Sequence, residues 1–210
     1  IIAKIEANLK YPMFVKPSNL GSSIGISKVK DRNELKYGID IASHYDRRIL
    51  VEEALEDAME INCSVLGNDN PIPSVCEQPV SWQEFLKYED KYLKGNKTNG
   101  LKAAARHIPA LISPELTTEI KGLAIKTFKA IDCCGIARID FLINHKKQKV
   151  FVNEINTIPG SISFYIWEAT NIKFSDLIDR LIKLAFEFHK EKGKTTYSYN
   201  SKLLKELKIT

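Results

Sequence analysis

The sequence has few of the features that mark disulfide-rich, zinc-binding or membrane proteins. It contains only four cysteines among 210 residues and no CxxC pair, so neither a disulfide framework nor a zinc site of the usual spacing is predicted. No uncharged apolar run approaches the roughly 20 residues that span a bilayer. The first residues, IIAKIEANLKYP, show no small-residue cleavage site. We therefore expect a cytoplasmic protein with reduced cysteines and no membrane partner.

An excess of charge of one sign is also lacking. The chain has 31 Lys and Arg against 26 Asp and Glu, a formal net charge of +5, and most basic residues have acidic neighbours. The exception is the lysine-rich stretch 87–107. Nucleic-acid binding predicts a concentrated basic stripe, whereas a small anionic ligand explains a single basic loop better. The sequence therefore predicts no nucleic-acid partner.

The hydrophobic periodicity predicts a globular α+β protein. Asp31 with Glu34 has the spacing of a capping box, and Ser113-Pro114 is typical of a helix start. Predicted strands lie at 12–16, 26–29, 49–53 and 60–66, and a hairpin joins 136–143 to 149–155. Predicted helices follow Asp31 to about Tyr45, then cover 115–131 and 175–190. The apolar side of the last helix would carry Leu177, Ile178, Leu181, Ile182, Leu184, Ala185 and Phe186.

The predicted hairpin, ARIDFLINHKKQKVFVNEIN, carries the most informative polar pattern. Side chains alternate across a strand, so Arg138 and Asp140 share one face, as do Glu154 and Asn156. Folding the hairpin about Lys147 places Asp140 opposite Glu154. The other face would carry the core residues Ile139, Phe141, Ile143, Val150 and Val152.

This face of the hairpin is suited to metal and oxyanion chemistry. Two carboxylates and an amide oxygen are hard ligands that suit Mg²⁺, and an arginine beside them suits a transferring phosphate or an oxyanion. Gly160 follows Asn156 closely and lets a backbone N–H approach a ligand. The alternative is a solvated hairpin face with cross-strand ion pairs.

A second candidate stretch is VKPSNLGSSIG, in which Lys16 ends an apolar strand and a loop with Ser22, Ser23 and Gly25 follows. Glycines let backbone N–H groups approach phosphate oxygens, and serines add donors. It is not a Walker A loop, because no GK[ST] ends it. The alternative is an ordinary turn.

Two further stretches carry candidate ligand contacts. In VEEALEDAMEI, Glu52 and Glu60 could accept hydrogen bonds from an adenine amino group or from ribose hydroxyls, although a solvated turn is the alternative. In YEDKYL, Lys91 and Tyr92 belong to a basic loop that could close over phosphates and exclude water, although a surface loop is the alternative.

Taken in order, these four stretches resemble the ATP-grasp ligases, and among them the D-alanine–D-alanine ligases. The resemblance covers residues 11 to about 190, and its most specific parts are VKPSNLGSSIG, GIARIDFLI and VNEINTIPG. It implies an ATP-grasp fold, with a partial central subdomain in 1–51 and a C-terminal domain of mixed or antiparallel sheet with helices in 52–210.

The resemblance also implies a role for each candidate residue. At the phosphates, Lys16 makes a contact and the loop with Ser22, Ser23 and Gly25 lies over them, with Ser22 also ordering the substrate. At the nucleoside, Glu52 and the Leu55 backbone hold adenine, Leu142 packs under adenine, and Glu60 holds the ribose. At the reacting groups, two Mg²⁺ ions, for which Mn²⁺ can substitute, are bound by Asp140, Glu154 and Asn156. The oxyanion is stabilised by Arg138 and the Gly160 backbone. Lys91 reaches the γ-phosphate, and Tyr92 faces the substrate.

The implied activity is the joining of two D-alanines through an acyl phosphate, for peptidoglycan synthesis, by a cytoplasmic enzyme that is a homodimer when full length. The sequence lacks the N-terminal domain of such ligases, so we expect a fragment that is inactive alone. Tyr165 stands where those ligases carry a small hydroxyl residue near the second substrate. The alternatives are a D-alanine–D-serine ligase, another ATP-grasp ligase, or a non-catalytic module that binds magnesium and nucleotide.

Overall fold

The computed structural model describes residues 1–80, 106–144 and 149–195. The chain forms two compact units, Ile1–Asp57 and Ala58–Thr210. The predicted domain boundary, after residue 51, lies inside a strand, Ile49–Glu53. Assignment of the two units to central and C-terminal ATP-grasp subdomains stays a prediction.

The first unit is a three-stranded antiparallel sheet with two helices. Its elements are α1 (Ile2–Glu6), β1 (Met13–Pro17), β2 (Ser27–Val29), α2 (Arg32–Ser43) and β3 (Ile49–Glu53), with strand order β2-β1-β3. Its buried core comprises Met13, Val15, Val29, Leu35 and Ala42. The predicted start of α2 is confirmed, because the Asp31 carboxylate accepts from the backbone N–H groups of Asn33 and Glu34. The helix ends at Ser43, slightly before the predicted Tyr45.

The second unit is built on a five-stranded sheet of order β6-β5-β4-β7-β8, in which every described pairing is antiparallel. Its strands are β4 (Ala58–Gly67), β5 (Ile72–Pro79), β6 (Arg106–His107), β7 (Gly135–Asn144) and β8 (Lys149–Asn156). Its helices are α3 (Pro114–Ala130), α4 (Phe164–Glu168) and α5 (Phe174–Gly193), with a 3₁₀ segment at Gly160–Ser163.

The two faces of this sheet are covered differently. On one face, α3 packs its buried Ile120, Ala124 and Phe128 against strand residues such as Ile139 and Phe141. On the other face, α4 and α5 cover only one end, where Leu66, Trp167, Ile172 and Leu177 form a separate cluster. The rest of that second face carries mostly polar side chains, with Leu142 among them.

The prediction that Val152 is a core residue is wrong, because its side chain is 44% exposed. The strand β8 is the outer strand of the sheet, and its register with β7 shifts between Asp140 and Phe141. One additional β8 residue, Asn153, is therefore inserted between the partners of these two residues, and Val150 and Ile155, but not Val152, pack on the core.

The predicted apolar side of α5 divides into a packed and an exposed part. Leu177, Leu181 and Leu184 belong to the cluster with Trp167, whereas Ile182 and Phe186 are exposed.

No helix in the described ranges is both long and apolar enough to cross a bilayer. All four cysteines are free, as expected.

Candidate active site

Strand pairing arranges polar residues in rows across the second face of the larger sheet. Asn62 on β4 lies opposite Glu77 on β5 and Asp140 on β7, and Asp140 lies opposite Glu154 on β8. The predicted pairing of Asp140 with Glu154 is therefore confirmed. In the next row, Ser64, Arg138 and Asn156 lie opposite one another.

Hydrogen bonds join the four predicted hairpin residues into one cluster. Arg138 holds Asp140 with two bonds, from Nε to Oδ1 at 2.7 Å and from NH2 to Oδ2 at 2.8 Å. The Nδ2 of Asn156 donates to Asp140 Oδ2 at 2.9 Å and to Glu154 Oε1 at 3.2 Å. One amide therefore touches both carboxylates, and a bidentate guanidinium fixes the position of one of them.

Burial and charge perturb both ends of the Arg138–Asp140 pair. Asp140 is only 4% exposed, and this burial raises the pKa of its carboxyl group, Arg138 lowers it, and nearby Glu154 raises it. The hydrogen bond to Asp140 raises the pKa of Arg138. With both carboxylates ionised, the cluster carries two negative charges against one positive charge, and the excess favours a cation.

The residues of this cluster fit a magnesium ion. Two carboxylates and one amide supply the hard oxygen atoms that magnesium prefers. The NH₂ group of Asn156 faces the carboxylates, and a flip of the amide would present its oxygen instead. Among the described residues there is no metal-ready group of three or more His, Cys, Asp or Glu side chains. The metal roles of Asp140, Glu154 and Asn156 remain a prediction.

Two more predicted residues lie on the same face of the sheet as Asp140. Glu60 on β4 lies opposite Leu142 on β7, and Leu142 is two residues beyond Asp140. Glu60 is solvent-exposed, yet desolvation raises its pKa and Asp140 raises it further. An apolar surface at Leu142 next to a carboxylate is suited to a base and a ribose, and these two roles stay predictions.

In the smaller unit, the structure brings Lys16 and Glu52 together. Their side chains form an ion pair with Nζ 2.5 Å from Oε2, between neighbouring strands β1 and β3. The resemblance gave them separate tasks, at the phosphates and at adenine. Leu55 lies just after β3 and is partly buried.

The glycine-rich loop has the backbone conformation of a tight turn. Ser22, Ser23 and Gly25 have φ angles of 54°, 56° and 73°. A Cβ on Gly25 would lie 2.8 Å from both Pro17 Cγ and Tyr45 Cδ2, so only glycine fits there. Successive left-handed residues can turn their N–H groups toward an anion, which suits the predicted phosphate role of this loop.

The turn after β8 has an unusual backbone conformation. The positive φ angles fall on the next three residues, Ser161, Ile162 and Ser163, at 51°, 47° and 52°. A β-branched residue such as Ile162 is an outlier there, and such strain often clusters at ligand sites. The predicted approach of the Gly160 N–H to a ligand stays a prediction. Lys91 and Tyr92 lie outside the described residues.

A second polar cluster, to which the sequence assigned no role, lies at the β5 end of the row that contains Asp140. Glu77 is 3% exposed, and its carboxylate pairs with Arg106 NH1 at 3.0 Å and accepts from the Tyr165 hydroxyl at 3.2 Å. The Arg106 guanidinium lies 4.3 Å from the centre of the Tyr165 ring. Asn62 Nδ2 is 3.5 Å from Glu77 Oε2. The available signal was a glutamate in the otherwise uncharged stretch PIPSVCEQPV.

The sequence matches a known protein family over most of its length. The family described as D-ala D-ala ligase C-terminus matches residues 1–183. The chain therefore belongs to the D-alanine–D-alanine ligase C-terminal family. Its relatives include the D-alanine–D-alanine ligases of Acetivibrio thermocellus, 44% identical over 191 residues, and Thermoanaerobacter pseudethanolicus, 47% identical over 193 residues. These alignments cover 89% and 90% of this chain but 49% and 52% of the relatives, so it spans about half their length.

Solved structures of the same family share the fold. The D-alanine–D-alanine ligase from Coxiella burnetii matches with a TM-score of 0.72 and 32% identity, over 88% of this chain and 47% of that one. The VanG D-Ala:D-Ser ligase from Enterococcus faecalis matches with a TM-score of 0.71 and 32% identity, over 87% of this chain and 52% of that one. The predicted α+β ATP-grasp fold is thus confirmed.

Proposed function

We propose that the protein containing this chain joins two D-alanine molecules with ATP, through an acyl phosphate, to supply a peptidoglycan precursor. The observation that carries this proposal is the cluster of Arg138, Asp140, Glu154 and Asn156 on two paired strands, in a chain of this family. The names of the relatives give the proposal its substrate.

The first step requires mainly that the reacting groups are aligned and that the charge of the phosphates is neutralised. The carboxylate of one D-alanine attacks the γ-phosphorus of ATP, ADP leaves, and an acyl phosphate forms. Arg138 is fixed by Asp140 and would hold the charge that develops on the phosphoryl and carbonyl oxygens. The amine of the second D-alanine then attacks the acyl carbon, loses a proton, and displaces phosphate.

We propose that two magnesium ions would be held by Asp140, Glu154 and Asn156, next to the reacting groups. A bound magnesium ion would neutralise triphosphate oxygens and favour departure of ADP. The buried carboxylate of Asp140 needs a permanent partner, which Arg138 supplies, while the exposed Glu154 is accessible to an ion from solvent.

The nucleotide contacts are proposed residue by residue, as the resemblance implies them. Lys16 and the loop with Ser22, Ser23 and Gly25 would bind phosphates, Glu52 and the Leu55 backbone would bind adenine, and Glu60 and Leu142 would bind the nucleoside. The ion pair of Lys16 with Glu52 supports a coupled role, because each side chain fixes the other. Lys91 would reach the γ-phosphate, and Tyr92 would face the substrate, in a loop that closes over them.

A second candidate activity is D-alanine–D-serine ligation. Tyr165 supports it, because a phenol stands where a small hydroxyl residue was expected and contacts the Glu77 cluster. We further propose cytoplasmic location and a homodimer for the full-length protein, with no nucleic-acid partner.

The experiment that tests the proposed function is product analysis with the full-length protein. Incubation with D-alanine, ATP and magnesium should yield D-alanyl-D-alanine, ADP and phosphate in equal amounts, detected by mass spectrometry and a phosphate assay. Omission of D-alanine or magnesium should abolish phosphate release. Absence of dipeptide with D-alanine, and with D-alanine plus D-serine, would contradict the proposal.

A further inference from the structure

The cluster of Glu77, Arg106 and Tyr165 lies on the same face of the sheet as the proposed reaction site. Arg106 is paired with Pro79, two residues beyond Glu77 on β5, and Glu77 lies opposite Asn62, which lies opposite Asp140. Neighbouring strands are about 4.8 Å apart. The backbones of Glu77 and Asp140 are therefore two strand spacings, about 10 Å, apart.

The cluster is more polar than packing requires. Placing a carboxylate such as Glu77 in the interior has a large desolvation cost, and a well-packed apolar residue would often be as stable. In addition, Asn62 Oδ1 is buried and has no hydrogen-bond partner among the described residues. A hydrogen-bonded network of buried polar groups restricts the side chains that it joins to one arrangement.

The side chain held in this way is Arg106. Its NH1 pairs with Glu77, its guanidinium lies over the Tyr165 ring, and the Tyr165 hydroxyl donates a hydrogen bond to Glu77. The Arg106 side chain is still 36% exposed, so a ligand can reach it. A guanidinium fixed along one edge is suited to bind a carboxylate with two parallel hydrogen bonds.

Tyr165 connects this cluster electrostatically to the reaction site. Burial raises the pKa of Tyr165 and Glu77 adds to the increase, whereas Arg106 and Arg138 both lower it. The charges of both arginines therefore act on the phenol, and Arg106 lies 4.3 Å from its ring centre. An amino acid with its amine near Arg138 would extend its carboxylate toward Arg106.

We propose that Arg106, positioned by Glu77 and Tyr165, binds the carboxylate of the acceptor amino acid in the second step of the reaction. This inference rests on the proposed ligase function. It assigns a substrate contact to Arg106 and positioning roles to Glu77 and Tyr165.

The test is an acceptor competition with the full-length protein. D-alanine and D-alaninamide, which lacks the carboxylate, compete as acceptors, and mass spectrometry gives the ratio of D-alanyl-D-alanine to D-alanyl-D-alaninamide. This ratio reports acceptor preference and is independent of total activity. Charge-assisted hydrogen bonds of this kind are expected to favour the acid by about 10- to 100-fold.

Arg106→Met should lower the product ratio by about that factor, and Arg106→Lys should lower it less, because a charge remains. The matched control is Arg180→Met, at an exposed position on α5, which should keep the wild-type ratio. Arg106→Lys serves as the test if Arg106→Met does not fold. A wild-type ratio in either Arg106 variant would overturn the inference. Absence of any dipeptide from the wild type would instead overturn the proposed function.

Discussion

At the scale of the residue, Asp140 joins the other side chains of the proposed site. Its carboxylate is almost fully buried, and Arg138 and Asn156 both donate hydrogen bonds to it. The alternation of side chains in a strand predicted that Arg138, Asp140 and Glu154 would share a face, since that pattern depends only on local geometry.

The Glu77 cluster could not be found in the same way. Tyr165 is 88 residues from Glu77 in the chain, and their contact depends on how α4 packs on the sheet. Strand β5 has no clear alternation of polar and apolar residues, so the sequence predicted neither the strand nor the direction of the Glu77 side chain.

Gly25 provides a prediction at the level of one residue. Gly25→Ala should destabilise the protein by about 1–3 kcal/mol, because the new methyl group would contact Pro17 and Tyr45 and the positive φ would be strained. Urea denaturation of the full-length protein measures the free energy of unfolding.

The matched control is Gly21→Ala in the same loop, where no atom lies within 4 Å of a built Cβ and no positive φ occurs. Equal stability of the two variants would show that the loop does not hold Gly25 as the structure describes.

At the scale of the element, the capped helices α2 and α3 were the most predictable features. Ser113 accepts from the Leu116 N–H and Pro114 opens α3, as the sequence predicts. Capping signals are local, so they can be read without the fold. The strand β8 was predicted well in extent but not in packing, because Val152, although paired with the buried Phe141, lies on the outer strand of the sheet and is 44% exposed.

The helix α3 offers a prediction on packing energy. Phe128 is fully buried between α3 and the sheet, so Phe128→Ala should reduce the free energy of unfolding by about 3–5 kcal/mol. Thermal or urea unfolding of the full-length protein is the measurement.

Phe186→Ala on α5 is the matched control, because the Phe186 side chain is 71% exposed and its loss leaves no internal cavity. We expect a change within about 0.5 kcal/mol for this variant. A large effect at Phe186 with none at Phe128 would contradict the described core.

At the scale of the whole molecule, the family was predictable because its stretches occur in a fixed order along one chain. The order and spacing of VKPSNLGSSIG, GIARIDFLI and VNEINTIPG carry more information than any one of them. The chain spans about half the length of the relatives it matches, at 49% for the Acetivibrio thermocellus ligase. Activity is therefore proposed for the protein that contains it.

The most direct test of the central claim is the turnover of full-length Asp140→Asn. The substitution keeps the shape of the side chain and removes the charge that holds Arg138 and would hold magnesium. We expect D-alanine-dependent phosphate release to fall by about 100-fold or more, while Asp179→Asn, at an exposed position on α5, retains wild-type turnover. Unchanged turnover and unchanged magnesium dependence in Asp140→Asn would contradict the account.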